Sequence, residues 1–272
     1  MPTTADKRAT FRRLHESGCF VIPNPWDIGS ARYLEGMGFK ALATTSAGFA
    51  WARGAADGGI TRELALAHMA ELAAAVAVPL NADFEGGFAH EPAGVADSVR
   101  LAVDTGVAGL SIEDFTGDRA NPLYDLDLAV ARIRAAREAI DKSGGDVLLT
   151  GRSEGFIRGR PDLDETIRRL RAYADAGADC LYAPGISTRE QIAAVVQAVA
   201  PRPVNLLMGT PSPLTVQDCA ALGVRRISVG GSLARAAWGG FIRAARLIVD
   251  SGSFDGFADA APSAELNQTL GR

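Results

Sequence analysis

The sequence is poor in the residues from which disulfide frameworks and zinc sites are built. It contains three cysteines and three histidines among 272 residues. Cys19, Cys180 and Cys219 lie far apart, and no two of them form a Cys-x-x-Cys pair. This spacing argues against a disulfide framework and favours reduced thiols in a cytoplasm.

The sequence also lacks an excess of positive charge and any long apolar run. The 28 Lys and Arg residues are outnumbered by 32 Asp and Glu residues, so the net charge is -4. This balance argues against a nucleic-acid partner. No apolar run approaches the roughly 18 to 20 residues of a membrane span, and the first residues, MPTTADKRATFRRL, lack the apolar core of a signal peptide. We therefore expect a cytoplasmic protein without a membrane partner.

What the sequence does contain is an eightfold alternation of strand-like and helix-like segments. The strand-like runs are CFVIPN, ALATTS, VPLNADFE, GLSIEDF, VLLTGRSE, CLYAPG, PVNLLMG and RRISVGG. Helix-like stretches with apolar residues at spacings of three and four separate them, and many of these stretches end in Gly. The pattern predicts an α/β fold, a single (β/α)8 TIM barrel over residues 1–272 with a tail from about residue 251. A doubly wound open sheet is the alternative, but the Gly-x-Gly-x-x-Gly fingerprint is missing.

In a barrel, chemistry belongs at the carboxyl ends of the strands, and polar residues collect there in this sequence. They are Asn24 and Asp27, Thr44, Thr45 and Ser46, Asp83 and Glu85, Glu113 and Asp114, Arg152 and Glu154, and Asn205. Asp57 adds a further carboxylate from the loop after the second strand. Singly, several of these residues have structural explanations, such as Asp27 starting a helix or Arg152 pairing with Glu154.

The carboxylates taken together predict a bound cation, because clustered carboxylates repel one another unless a cation neutralises them. Oxygen ligands favour a hard ion, Mg²⁺ or else Mn²⁺, over Zn²⁺. In the stretch NADFEGG, Asp83 and Glu85 are the predicted metal-side carboxylates, and Gly86 and Gly87 leave room for substrate or for a moving loop.

The turn TTSAG and Arg152 predict the substrate class. Backbone N–H groups of Ala47 and Gly48 could hold a carboxylate or an enolate oxygen, and Arg152 could bind a second charge. A small 2-oxo or 2-hydroxy acid would satisfy both groups together with a metal ion. A competing interpretation takes the glycine-containing segments LLMGTPS and SVGGSLARA as a phosphate site.

An ordered set of motifs resembles the isocitrate lyase and phosphoenolpyruvate mutase superfamily. The motifs are NPWDIGSA, TTSAG, Asp57 in GAADGG, NADFEGG, SIED and GRSEGF, from about Phe20 to beyond Gly177. The resemblance implies a (β/α)8 barrel in a homodimer or homotetramer, with the helix SLARAAWGGFIRAARLIV swapped onto a neighbouring barrel. It also implies a loop after the fourth strand that closes over the site.

The resemblance further implies roles for individual residues. Asp83, Glu85 and Glu113 would hold Mg²⁺ directly or through water, beside Asp57. Substrate would be bound by Thr45, Ser46, Ala47, Gly48, Arg152 and Asn205. Members of the superfamily make or break a C–C or C–P bond next to a 2-oxo acid through a metal-bound enolate. Asp57 and Arg152 would take part in that chemistry.

The sequence departs from the better-known members where specificity is set. The loop after SIED reads FTGDRANPLYD and has no cysteine, which argues against an isocitrate or methylisocitrate lyase. Pro184 stands where a phosphonate mutase has a histidine. C–C cleavage of the oxaloacetate decarboxylase type requires the fewest catalytic groups besides the metal site and is the expected function. C–P chemistry on phosphonopyruvate or carboxyphosphonoenolpyruvate, and metabolite binding without turnover, are the alternatives.

Catalysis also requires a proton donor, and the loop from Phe115 to Asp125 is where the sequence offers one. Its plausible donors are Asp118, Asn121 and Tyr124, of which Asn121 and Tyr124 are predicted to be catalytic.

Overall fold

The protein forms a (β/α)8 barrel. The structure is a computed structural model and describes residues 1–271. The strands are β1 (Phe20–Ile22), β2 (Leu42–Ala43), β3 (Leu80–Asp83), β4 (Gly109–Glu113), β5 (Leu148–Arg152), β6 (Cys180–Tyr182), β7 (Val204–Leu207) and β8 (Arg226–Ser228). Each of the eight predicted runs contains one strand, so the predicted order of strands is confirmed.

The strands pair with their sequence neighbours, and the sheet closes on itself. All seven strand pairs are parallel and follow the order β1-β8-β7-β6-β5-β4-β3-β2. A hydrogen bond of 3.0 Å from the Ala43 N–H to the Pro23 carbonyl joins the first two strands. The open, doubly wound alternative is therefore wrong, since its strand order would not run around the sheet in sequence order.

Helices surround the barrel. Within residues 1–271 they are α1 (Thr4–Leu14), α2 (Ile28–Gly36), α3 (Ser46–Ala52), α4 (Arg62–Ala75), α5 (Pro92–Asp104), α6 (Leu126–Lys142), α7 (Leu163–Asp175), α8 (Arg189–Val199), α9 (Val216–Ala221), α10 (Ser232–Ser251) and α11 (Ser263–Leu270). Short 3₁₀ turns occupy Gly155–Arg158 and Asp255–Phe257. No helix of the described chain is long and apolar enough to cross a membrane.

Local sequence explains where several helices begin and end. Thr61, Asp162 and Thr188 each cap a helix by accepting the N–H of the residue three positions later. At the ends of α5 and α7, Gly106 and Gly177 have φ values of +87° and +104°, which favour glycine because a Cβ is unfavourable there. Helix caps and terminal glycines thus begin and end helices at regular intervals, so that the carboxyl ends of all eight strands lie at the same end of the barrel, which we call its mouth.

Helix α10 leaves an apolar face exposed. The first turn of α10 is anchored by the buried side chain of Ala234, but along the rest of the helix Trp238, Phe241 and Ile242 are exposed, with Phe241 63 % exposed. Within residues 1–271, the turn Asp255–Phe257 is the element that packs most extensively against α10. The tail folds back and forms the short helix α11, which packs against α2.

Candidate active site

Two neighbouring cavities open at the carboxyl ends of the strands. The inner cavity, of about 170 Å³, lies in the barrel mouth, and its lining includes the predicted residues Thr45, Ser46, Ala47, Asp57, Asp83, Arg152 and Asn205. The outer cavity, of about 510 Å³, includes the predicted residues Asp57, Glu85, Glu113 and Tyr124. Asp57 lines both cavities from the loop after α3, so the two spaces adjoin at its side chain.

The stretch NADFEGG has an unusual backbone directly beyond β3. Glu85 has φ +48°, in the left-handed region that non-glycine residues seldom adopt, and Gly87 has φ +73°. A Cβ on Gly86 would lie 3.0 Å from Arg132 Nη2. The turn therefore needs its glycines for backbone conformation and for the close approach of an arginine, and it holds Glu85 in a conformation that costs energy.

Arg132, on α6, holds this turn in place. Its guanidinium donates to the carbonyl oxygens of Gly86, Ala89 and His90 at 2.5 to 2.6 Å. Arg132 is 1 % exposed. A buried arginine that satisfies three loop carbonyls fixes the loop that carries Glu85 and His90. The sequence pattern gave no sign of this role, because Arg132 belongs to an amphipathic helix in which arginines usually face solvent.

Arg152, the last residue of β5, connects the carboxylates of the mouth. Its Nη1 lies 3.2 Å from Asp83 Oδ1 and 3.3 Å from Glu113 Oε2, and its Nε donates to Glu154 Oε1 at 2.5 Å. Glu113 is the register partner of Arg152 in the adjacent strand. The ring of Tyr182, at the end of β6, lies 5.1 Å from the guanidinium carbon. Arg152 thus balances charge at the centre of the predicted site.

Glu154 is fully buried and joins two arginines. One carboxylate oxygen accepts from Arg152, and the other accepts from Arg158 Nε at 2.9 Å. Its backbone N–H donates to Asp114 Oδ1 at 2.8 Å. The expected pairing of Arg152 with Glu154 is therefore present, but Glu154 also binds a second arginine. The bridge to Arg158 was missed, although the spacing Arg-x-Glu-x-x-x-Arg directly after a strand was a visible signal for it.

Two carboxyl groups of the mouth, those of Glu85 and Glu113, have raised pKa values. Burial, followed by repulsion from Asp83 and Asp57, raises the pKa of Glu85 from 4.5 to about 7. Burial and the Glu154 carboxylate raise the pKa of Glu113 well above its usual value, although Arg152 opposes this shift. Burial lowers the pKa of Arg152, but the surrounding carboxylates outweigh this effect and raise it overall. Counted as ionised groups, the carboxylates that act on one another here outnumber the two arginines beside them, Arg152 and Arg158.

The carboxylate oxygens at the mouth of the barrel are ligands of the type that a hard divalent cation prefers. Asp83, Glu85 and Glu113 offer only oxygen ligands, and their surplus charge would be neutralised by such an ion. Within residues 1–271, however, no three His, Cys, Asp or Glu side chains are grouped closely enough to hold a metal ion as they stand. Asp83 and Glu113 instead share Arg152. The structure thus brings the three predicted ligands to one mouth, and their role as ligands remains a prediction.

The turn after β2 is only partly available to a substrate. The Ser46 N–H and Oγ both donate to Asp83 Oδ2, at 3.0 and 2.9 Å. The Gly48 N–H donates to Thr45 Oγ1 at 3.2 Å, and Gly48 does not line the inner cavity. In the described part of the chain the Ala47 N–H has no acceptor. The prediction for Gly48 therefore needs correction, because the cap of α3 occupies its N–H, whereas Ala47 keeps a free donor.

Hydrogen bonds within the protein use the Asn205 amide and two backbone N–H groups after β8, which were predicted to bind ligand. Asn205 donates to Ser228 Oγ at 2.9 Å and accepts from Arg226 Nε at 2.8 Å, so its amide is anchored inside the barrel. The N–H groups of Val229 and Gly230 both donate to Asn24 Oδ1 at 2.9 Å. Since the latter two donors belong to the segment considered as a phosphate site, the structure disfavours that interpretation.

The loop after β4 separates its candidate proton donors. Asn121 is exposed, and its side chain donates to Asp118 Oδ2 at 3.4 Å. Asn121 lines a different groove, between this loop and α7, and the structure does not bring it to either cavity of the site. Tyr124 does reach the outer cavity. The antiparallel bridge between Phe115 and Leu123 closes this loop, in which Arg119 lines the outer cavity whereas Asn121 lines the groove.

Tyr124, which is buried, contacts the exposed residue His90 at the outer cavity. The Tyr124 hydroxyl lies 2.5 Å from His90 Nδ1, and the Arg132 guanidinium carbon lies 4.2 Å from the Tyr124 ring centroid. Burial raises the pKa of Tyr124, which keeps the phenol protonated near neutral pH. Of the loop candidates, Tyr124 is therefore placed to donate a proton. No spacing in the sequence indicated this contact, since His90 and Tyr124 lie in loops after different strands.

The raised pKa of Glu85 predicts how stability depends on pH. A carboxyl whose pKa is higher in the folded state stabilises the fold below its unfolded pKa, and this contribution disappears as pH rises through the folded pKa. Between about pH 4.5 and 7 the metal-free protein should therefore lose roughly 3 kcal/mol of Glu85-dependent stability. The free energy of unfolding by urea, measured at pH 5 and pH 8, tests this prediction.

The Glu85→Gln variant is the control for the pH dependence. Its fall in stability between the two pH values should be smaller than that of the wild-type protein by the Glu85 contribution, because glutamine does not titrate whereas Glu113 still does. Equal falls in the wild-type protein and in the variant would assign the pH dependence to other groups.

Comparisons with known proteins agree with this geometry. The sequence model described as phosphoenolpyruvate phosphomutase matches residues 11–249. A proposed lyase or mutase from Burkholderia cenocepacia J2315, known as a crystal structure, is 48 % identical, with a TM-score of 0.96 over 99 % of this chain and 98 % of the other. Oxaloacetate decarboxylase from Paraburkholderia xenovorans is 32 % identical over 83 % of this chain and 75 % of the relative. A structure of oxaloacetate acetylhydrolase with the product oxalate is 29 % identical, with a TM-score of 0.88 over 100 % and 96 % of the two chains.

Proposed function

The chain belongs to the phosphoenolpyruvate phosphomutase family, and from this premise we propose that it is a lyase that cleaves a carbon–carbon bond in a small 2-oxo or 2-hydroxy diacid. One observation carries the proposal: the barrel mouth brings Asp83, Glu113 and Arg152 into contact beside a free backbone donor, with surplus negative charge. Oxaloacetate is the first substrate to test, since relatives named for their action on oxaloacetate share the fold and much of the length.

The proposed reaction needs a site that stabilises an enolate. Bound Mg²⁺, or Mn²⁺ in its place, would polarise the 2-oxo group and would be held by Asp83, Glu85 and Glu113. The Ala47 N–H would donate to the substrate carboxylate in the inner cavity. Arg152, oriented by Glu154, would bind an adjacent oxygen and offset charge that develops there. With oxaloacetate, the C–C bond to the distal carboxylate would break and CO₂ would leave. The bonding electron pair would remain on the other fragment as the enolate of pyruvate, which a proton would then convert to pyruvate.

Tyr124 is the proposed proton donor. Replacing Tyr124 with phenylalanine should lower turnover about a hundredfold, the scale of general acid catalysis, while substrate binding changes little. Asn121→Ala should have a smaller effect, because its side chain lies outside both cavities. Steady-state turnover together with calorimetric binding of oxalate measures the two effects separately. Wild-type turnover in Tyr124→Phe would show that another group donates the proton.

The test of function is release of pyruvate from oxaloacetate. Purified protein with Mg²⁺ should release pyruvate faster than the metal alone, and EDTA should abolish the enzyme-dependent part. If a folded protein binds Mg²⁺ and oxalate but releases no pyruvate, oxaloacetate is not the substrate. Phosphonopyruvate then tests carbon–phosphorus chemistry, and lack of turnover with both compounds would favour a protein that binds metabolites without catalysis.

We also propose that the chain forms a homodimer or a homotetramer through α10. The exposed side chains of Trp238, Phe241 and Ile242 form an apolar face that water would otherwise solvate, and an exposed face of this kind marks an interaction surface. Phe241→Glu should lower the sedimenting mass towards that of a monomer. Met37→Glu, at an exposed residue elsewhere, is the matched control. A wild-type protein that sediments as a monomer would contradict the proposal.

A further inference from the structure

The outer cavity contains an arginine whose hydrogen-bonding capacity is largely unused. Arg158, in the 3₁₀ turn after β5, lines this cavity, and its side chain is 32 % exposed. Its Nε donates to Glu154 Oε2 at 2.9 Å. Its Nη2 approaches Glu113 Oε1 only to 3.9 Å, which is too far for a hydrogen bond. Within residues 1–271, neither terminal nitrogen of Arg158 donates to a protein acceptor.

Two contacts hold the Arg158 guanidinium in a defined orientation. The buried carboxylate of Glu154 binds its Nε, and the Phe115 ring lies 3.7 Å from its central carbon. Glu154 also binds Arg152, so one carboxylate sets the orientation of both guanidinium groups. Arg152 then faces the inner cavity and Arg158 the outer one. A guanidinium that is already fixed loses less entropy when it binds an anion, and its two terminal nitrogens match the two oxygens of a carboxylate.

A second basic residue lines the same cavity. Arg119 reaches the outer cavity from the loop after β4, and its position near the loop tip is exposed. Asp57, Glu85 and Glu113 line the cavity as well, so a ligand group with more than one negative charge would meet repulsion there. A single carboxylate fits this balance of charges better than a phosphonate does.

We propose that Arg158 determines substrate specificity by binding the distal carboxylate of the substrate in the outer cavity, with Arg119 assisting from the loop. This inference rests on the proposed function and deepens it. The 2-oxo or 2-hydroxy acid end occupies the inner cavity, beside Ala47 and Arg152. The chain of the substrate then passes Asp57, where the cavities adjoin, and ends at Arg158. The protein would therefore select diacids over monoacids with the same acid end.

The test compares malate with lactate, which share the 2-hydroxy acid end and differ by the distal carboxylate. Their dissociation constants are measured by calorimetry with the Mg²⁺-loaded protein. The wild-type protein should bind malate more tightly. Arg158→Gln should reduce this preference about ten- to a hundredfold, the amount expected for a pair of charge-assisted hydrogen bonds, and should leave lactate binding nearly unchanged.

Two further variants separate recognition from a structural effect. Arg119→Ala removes a loop side chain without affecting the Glu154 bridge, and it should lower the preference for malate by a smaller factor. Arg160→Gln is the matched control, since Arg160 lies two residues from Arg158 but lines the groove on the other side of the loop. It should leave the preference unchanged.

Three outcomes would overturn the inference. In one, Arg158→Gln weakens malate and lactate binding equally, which would indicate a structural role. In another, neither Arg158→Gln nor Arg119→Ala alters the preference. In the third, the wild-type protein does not prefer malate. Release of pyruvate from oxaloacetate with an unaltered preference in the variants would overturn this inference alone. Lack of turnover with oxaloacetate and with other small 2-oxo and 2-hydroxy diacids would overturn the proposed function.

Discussion

Replacing Asp83 with alanine is expected to lower metal-dependent turnover of oxaloacetate about a thousandfold or more, which corresponds to roughly 4 kcal/mol of the activation barrier. Asp83 is the proposed metal ligand at the centre of the mouth. It also accepts hydrogen bonds from the Ser46 N–H and hydroxyl and from Arg152. The substitution therefore removes a metal-binding oxygen and releases both the turn after β2 and the arginine.

The measurement for Asp83→Ala is the rate of pyruvate release at saturating Mg²⁺, with the metal's own background subtracted. Asp97→Ala, on the outer helix α5, removes a carboxylate far from the mouth and is the matched control. Titration with Mg²⁺ distinguishes weaker metal binding from slower chemistry, because only weaker binding is recovered at high metal concentration. Wild-type turnover in Asp83→Ala would remove Asp83 from the mechanism.

Replacing Arg152 with glutamine is expected to lower the free energy of unfolding by about 3 to 5 kcal/mol, the cost of leaving a buried charge without its partner. Arg152 contacts Asp83, Glu113 and Glu154, and Glu154 is fully buried. Glutamine keeps some of the hydrogen bonds but none of the positive charge. The three carboxylates would then repel one another in a partly dehydrated pocket.

Urea unfolding at pH 7 measures the loss of stability in Arg152→Gln. Arg168→Gln, which breaks an exposed pair with Glu165, is the control and should cost less than about 1 kcal/mol. The loss in Arg152→Gln should shrink at pH 5, because the raised pKa of Glu113 favours its protonation there, which relieves part of the repulsion. A loss no greater than that of the control would show that water or a rearrangement neutralises the carboxylates.

The sequence was sufficient to predict the barrel, for physical reasons that are local and repeated. Each strand is a short apolar run, and glycines such as Gly106 and Gly177 close helices at regular intervals. Consecutive parallel strands usually lie beside each other, and eight strand–helix units without the Gly-x-Gly-x-x-Gly fingerprint favour the closed barrel over the open sheet. The same logic predicted that Asp83, Glu113 and Arg152 meet, because each stands at the carboxyl end of a strand.

Only the tertiary structure decided which of the remaining candidates face the site. Asn121 and Tyr124 lie three residues apart in one loop, and the fold of that loop turns Asn121 away while it places Tyr124 on His90. Strand periodicity does not determine the path of a loop, since that path depends on contacts with distant segments.

The sequence by itself therefore determined the barrel, the edge at which chemistry takes place and the acidic character of that edge, since strand periodicity and position along a strand dictate these properties. The tertiary structure decided that Glu154 orients two arginines, that Arg132 holds the loop after β3, and that Gly48 has no free N–H. These arrangements depend on side chains that meet across the fold, and no spacing along the chain specifies such meetings.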